Sequence, residues 1–343
     1  GWTDPVWGRR LRASPPPGLT QPPSMIRYAL QRLGMAVGLL LAVSALTFGG
    51  MNLLGDPLIN ILGPIAADTE NPKSIAMIEA AEAEYHLDKS LPERYVRWLG
   101  DLVQGDLGVQ FSSTGEPPVS DLISERAPRT VVLLIMAQAL AVIIAIPWAL
   151  LAASRARRPS DRISTVMSFL LIALPNFALG VLLKYLLAIK LGWFPLTYNA
   201  SDPFLTRVYQ TFLPALTIAL PAAAIYQRLL RTDLITTLQE DFILLARAKG
   251  VSRTRVLVRH ALRPSFFSFI TVFGINTGAL IGGTLVVENI FRIPGLGTAI
   301  VEAIIRDDFP VVLAIVMIAT SVFVLVNIIV DIAYSFLDPR VKR

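Results

Sequence analysis

The sequence predicts an all-α, polytopic membrane protein with six spanning helices, and three observations lead there. Apolar residues make up 54% of the 343 and charged residues only 16%, whereas a soluble domain carries about a quarter. Six windows each hold roughly 20 mostly apolar residues, the length that crosses a bilayer in which a helix must satisfy its own backbone hydrogen bonds. Lysine and arginine gather in alternate connections between those windows, the pattern that orients a membrane chain. With no cysteine and two histidines, a disulfide framework, thiol catalysis, cysteine-ligated zinc and iron–sulfur clusters are excluded. His86 and His260 are far apart in sequence, so no histidine-rich metal site is expected.

Residues 1–24, "GWTDPVWGRRLRASPPPGLTQPPS", are rich in proline and precede Met25; they read as a disordered or non-native tail. The first span, Leu33 to Leu54, occupies a segment over 25–54. Arg27, Arg32 and "AVSA" at Ala42 to Ala45 also fit a cleavable leader. The apolar run continues past that point to Leu54, which favours an uncleaved span. An external segment over 55–127 follows. Asn71-Pro72 supplies a cap and a first-turn proline, and Ile75, Ile78, Ala81 and Tyr85 then share a helical face. A second helix through "LPERYVRWLGDLVQG" groups Tyr95, Trp98, Leu99 and Leu102. The segment reads either as a helical cap on the membrane or as an external docking surface centred on Tyr95, Trp98 and Leu99.

The remaining chain, 128–343, reads as a five-span core. Its windows are Thr130 to Ala153, Ile163 to Ile189, Phe212 to Leu230, Phe266 to Val287 and Pro310 to Phe336. Pro214 and Pro221 predict a kinked or short fourth span. Arg27 and Arg32, Arg155 to Arg162, Arg231 to Arg263 and the terminal Arg340, Lys342 and Arg343 all fall on one side, which is predicted cytoplasmic, with both termini inside. The opposite side begins with the acidic 55–127 segment. The formal charge of +6 is therefore a topological signal, and no nucleic-acid partner is expected.

One cytoplasmic connection, 231–264, is more structured than topology requires. "DFILLARAKG" from Asp241 has helix formers and an apolar face, Gly250 is placed as a left-handed C-cap, and Ser252 can cap a second helix that re-enters the membrane near Pro264. Ala246, Ala248 and Gly250 are small, and Arg247, Lys249, Arg253, Arg255, Arg259 and Arg263 surround them. The hairpin reads as a plain basic loop, as a segment resting on anionic membrane lipid, or as a docking element for a cytoplasmic protein.

"DFILLARAKGVSRTRVLVRHALRPS" resembles the cytoplasmic EAA loop of bacterial ABC-importer inner-membrane permeases, specifically the B-type permease of the dipeptide, oligopeptide and nickel group. "MIRYALQRLG", "YHLDKSLPERYVRWLGDLVQGDLGVQF", "LPNFALGVLL", "LGWFPL", "LPALTIALP", "GGTLVVENIFRIPGLG", "DDFPVV" and "NIIVDIAYSFLDPRVKR" resemble other blocks of that family in order, from Met25 to Arg343. The resemblance implies a type I ABC-importer permease of the bacterial plasma (inner) membrane, importing oligopeptides or dipeptides and forming half of the translocation pathway. Its implied partners are a homologous second permease, two ABC ATPase subunits and an external solute-binding protein. It also implies that Leu244, Leu245, Ala246, Arg247, Ala248, Lys249, Gly250, Ser252 and Arg253 form the ATPase-coupling surface, with Leu244, Leu245 and Ala246 in the places of the motif's Glu-Ala-Ala. Leu244 departs from the glutamate, so contact there must be apolar or come from neighbouring charges.

The sequence contains no G-x-x-x-x-G-K-[ST], so it lacks a phosphate-cradling loop. A non-catalytic subunit is expected, with no cofactor bound directly and ATP and magnesium held by partner subunits. Gly282, Gly283, Gly295 and Gly297 read as close helix packing and a tight turn. Polar groups inside the spans are costly unless they face protein or water. Asn176, Asn276, Thr277 and Asn327 are therefore the candidate pathway residues, Lys184 either snorkels or lines a cavity, and Asp331 is expected to pair with a basic neighbour. Two further readings stay open: the same machinery carrying nickel or another small solute, and a stand-alone secondary transporter, for which inverted repeats would be the sign.

Overall fold

The computed structural model describes residues 25–54, 57–68, 70–111 and 115–337. The expected tail 1–24, the terminal Arg340, Lys342 and Arg343, and the side chain of Asp331 lie outside the described residues. Among the described residues the regular structure is helical throughout, apart from one isolated bridge between Val109 and Pro118.

Helix α1, Met25–Leu54, is followed by short α2, Pro57–Leu62, and by α3, Pro72–Glu84, and α4, Leu91–Gln104. Asn71 caps α3, its side chain accepting from the Lys73 amide at 3.0 Å, as the Asn-Pro pair predicts. The inward face of α3 holds the expected Ala81, buried, with Ile78 and Tyr85 half-buried, but Ser74 takes the place of Ile75, which is exposed; Ser74 donates to Asp68 at 2.8 Å. That hydroxyl holds the Asp68 carboxyl below its usual range. Helix α4 turns its aromatic side toward α1. The rings of Tyr95 and Trp98 each lie 5.6 Å from that of Phe48, and the Tyr95 hydroxyl meets that of Ser44 at 2.8 Å.

The core begins with α5, Val119–Ser154, and α6, Pro159–Ala173. Then come α7, Asn176–Leu183, extended by a π-helical stretch over Lys184–Lys190, and α8, Phe204–Thr237. The third window is not one straight span. It breaks between α6 and α7, whose axes differ by 105°. Pro175 has no amide to donate and forces Leu174 out of helical geometry, to φ −76° and ψ 123°. The fourth span corrects the expectation in the other direction, since α8 runs unbroken for 34 residues with Pro214 and Pro221 inside it. It is the centre of the bundle, with 61% of its apolar window buried, and neighbouring helices re-satisfy the backbone groups that a proline frees.

Small residues allow that centre to close. Ala137, Ala141, Ala145, Ala149 and Ala153 form a buried stripe at four-residue spacing on α5, packed with Ala215, Ala219, Ala222 and Ala223 of α8. The chain then forms a hairpin of α9, Asp241–Ala248, and α10, Arg253–Arg255. A π-helical stretch over Val256–Ala261 joins α10 to α11, Leu262–Phe291, so that 253–291 is one continuous rod. The second limb of the hairpin is thus the base of a span. Pro264 accounts for the widened turn, because its ring crowds the carbonyl four residues earlier.

Helix α12, Leu296–Ile305, is a short apolar helix, and α13, Phe309–Leu337, closes the chain. On α11, Gly274 and Gly278 accept side chains of α13: a Cβ on the first would meet Val330 and on the second Phe323. The helices therefore approach as closely as a small-xxx-small pair permits. Among the described residues five helices are long and apolar enough to span, six if the bent pair counts as one.

Candidate functional site

The hairpin between α8 and α11 is built around a Schellman turn. Gly250 has φ +77°, its amide reaches the Arg247 carbonyl at 2.9 Å, and the Val251 amide reaches that of Ala246 at 3.2 Å. No atom lies within 4 Å of where a Gly250 Cβ would stand, so the demand for glycine is conformational. Ser252 sits at the N-cap of the second limb with extended backbone, but its side chain makes no capping bond. Ile243 and Val256 are fully buried and fasten the hairpin to the bundle. The expected coupling residues gather on this one turn. Leu244 and Leu245 are 53% and 57% exposed, flanked by exposed Arg247, Ala248, Lys249 and Arg253, with Ala246 half-buried. With Phe242, also exposed, three large apolar side chains lie bare on the hairpin.

Behind the hairpin the spans are tied by polar bonds that sequence reasoning missed. Arg231 of α8 grips Asp161 of α6 at 2.6 Å through each carboxylate oxygen, and the Arg157 amide also donates to Asp161 at 2.9 Å. One turn deeper, Ser168 donates to Gln227 at 2.7 Å, and Trp148 and Gln227 both donate to Ser164. The usable signal was the single acid in the arginine-rich α5–α6 connection.

The four candidate pathway residues do not converge on one site. Thr277 accepts from Gln138 at 2.9 Å, and Gln138 also donates to Tyr226 at 3.0 Å, so Thr277 belongs to a polar knot joining α5, α8 and α11. Asn176, at the start of α7, faces Gly283, where a Cβ would come within 3.3 Å of its amide nitrogen. Asn276 lies seven residues, about 10 Å, below Gly283 on the same face of α11. Asn327 donates to the Phe323 carbonyl at 2.8 Å and shares the α13 face that meets Gly274 and Gly278. Lys184 donates to the Ile290 carbonyl at 2.7 Å, at the end of α11. A cavity of about 450 Å³ lies between α1, α5, α11, α12 and α13; Leu134, Ile281, Ile300 and Val316 line it.

At the end opposite the hairpin, Glu288 is fully buried. Thr130 of α5 donates to one carboxylate oxygen at 2.6 Å; the amides of Gly297 and Thr298, opening α12, donate to the other at 2.7 and 3.2 Å. Thr130 also accepts from the Leu296 amide at 2.8 Å, and Arg129 donates to the Pro294 carbonyl at 2.9 Å. A Cβ on Gly295 or Gly297 would strike this carboxylate, which explains both glycines. The latch binds α5, α11 and α12 into one unit.

Tyr95 and Trp98 are half-buried against α1, and Leu99 is half-buried beside them; Val96 and Val103 of α4 are exposed.

Residues 145–343 match the family described as binding-protein-dependent transport system inner membrane component. The oligopeptide transport system permease protein AppB of Bacillus subtilis is 35% identical over 323 residues, covering 93% of this chain and 100% of that protein. A putative peptide permease protein of Brucella ovis is 34% identical over 325 residues, 93% of this chain and 99% of its own length. The glutathione transport system permease protein GsiC of Escherichia coli O6:H1 is 35% identical over 320 residues, with the same two coverages.

Proposed function

The chain belongs to the family of binding-protein-dependent transport inner membrane components, and from that premise we propose that it is the permease subunit of an ATP-driven importer of short peptides. It lines half of the pathway, a related permease lines the other half, two ATPase subunits bind the hairpin side, and a solute-binding protein delivers cargo on the opposite side. The hairpin side, with both termini, faces the cytoplasm, as the placement of arginines requires. The names of the relatives support peptide cargo.

The observation that carries this reading is the hairpin: a rigid, capped turn anchored by Ile243 and Val256 that presents Leu244 and Leu245 bare. With leucine in the place of a glutamate, the ATPase contact is apolar at its centre and framed by Arg247, Lys249 and Arg253. ATP binding then shifts the hairpin, and the continuous 253–291 rod carries that shift into the spans. Asn176 of α7, which faces Gly283, and Asn276, on that same face of α11, serve as pathway groups that replace water for peptide amides. The complete transporter reconstituted in vesicles tests this. Leu244→Glu with Leu245→Glu should abolish ATP-dependent uptake of a labelled peptide while leaving the chain's melting temperature unchanged. Uptake by this chain alone under an ion gradient would instead establish a secondary transporter.

A further inference from the structure

At the corner where α5 turns into α6, a groove with a volume of about 280 Å³ opens sideways between the two helices. Trp148, Leu151 and Arg155 line one wall, and Ile163, Ser164 and Met167 the other. We propose that this groove is a binding site for one anionic phospholipid, its phosphate held by the arginines of the corner and an acyl chain lying along Leu151, Ile163 and Met167.

The charge balance of the corner points to an anion. Arg155, Arg157, Arg158 and Arg162 are all exposed, and the acid among them, Asp161, is already committed to Arg231. No ion pair joins those four arginines among the described residues. The groove itself points to a lipid chain. Leu151, Ile163 and Met167 are 57%, 67% and 45% exposed, yet they belong to spanning helices, where an acyl chain reaches them and a soluble protein does not. Trp148 has its indole N–H satisfied by Ser164 at 2.8 Å, which leaves its ring as apolar wall at interface depth. Basic pockets between spanning helices suit phospholipid head groups for this combination of charge and apolar depth.

Native mass spectrometry of the complete detergent-purified transporter, incubated with dioleoyl phosphatidylglycerol or dioleoyl phosphatidylcholine, tests the proposal. We expect the glycerol lipid to be retained about tenfold better. Arg155→Gln with Arg162→Gln should bring it down to the choline level, and Ile163→Trp should do the same with every arginine in place. Met167→Trp serves in the same way if Ile163→Trp fails to assemble. Retention that survives the groove-filling variants would show general attraction to a basic surface and overturn the site. Anionic lipid binding that emerges only after the ATPase subunits are stripped off would assign the arginines to that interface instead. Neither outcome bears on peptide uptake, so this site stands or falls apart from the proposed function.

Discussion

The two ends of the α11 rod are built from the same device and finished in opposite ways. Each adjoins a turn with a left-handed residue, Gly250 at φ +77° on the hairpin side and Arg292 at φ 55° on the other. Beyond Arg292 the turn closes on itself: Glu288, Thr130, Gly297 and Thr298 satisfy one another in the interior. Beyond Gly250 it stays open, with its backbone bonds made and its leucines bare. A region that has saturated its own bonds holds a shape, whereas one that has not is waiting for another molecule. On the proposed function, the open end receives the force from the ATPase subunits and the closed end gives it something to act against.

Substitutions at the two ends should therefore differ in kind. Gly295→Val drives a branched side chain into the buried carboxylate and should cost more than about 4 kcal/mol, seen as failure of the chain to accumulate in membranes. Glu288→Ala leaves two helix-opening amides and a threonine hydroxyl without their acceptor, and should cost about 3 kcal/mol. Glu288→Gln keeps one carbonyl acceptor and should lose less than half of that; thermal unfolding in detergent ranks the pair. If both melt like the parent, the closed end is not a latch. At the open end, Gly250→Val should cost about 1–2 kcal/mol of backbone strain, but its larger signature should be ATP hydrolysis no longer matched by uptake. Ser252→Ala should change stability by less than about 0.5 kcal/mol, since its side chain caps nothing; a larger loss would mean the second limb depends on it.

The open end was legible in the sequence because its logic is local. A helix-forming run ended by a glycine specifies the capped turn, and exposure follows from its position outside the spans; the expected Ser252 side-chain cap is not made. The α5 stripe was only half legible: alanines at four-residue spacing announce close packing without naming α8 as the partner. The closed end was missed because an acid ending an apolar run reads as an interface residue. What makes Glu288 structural is its distance of seven and nine residues from Gly295 and Gly297, which matters only once the turn folds back. Proline misled twice. Pro175 broke a window that looked continuous, and Pro214 and Pro221 sit inside one 34-residue helix where an interrupted one was expected. Tyr95, Trp98 and Leu99 read either as part of a helical cap or as an external docking surface, and the rings of Tyr95 and Trp98 pack at an angle against Phe48 of the first span.

The absence of cysteine from the sequence provides the sharpest test of the central claim. Leu245→Cys creates a unique thiol on the bare face of the hairpin, and its reaction with a membrane-impermeant maleimide can be timed in inside-out vesicles. Co-assembly with the ATPase subunits should slow labelling at least about tenfold, the loss of access expected of a residue buried in an interface, and ATP should change the protected rate. Equal labelling with and without those subunits would show that nothing docks on the hairpin, and the account of force entering at the open end would be contradicted.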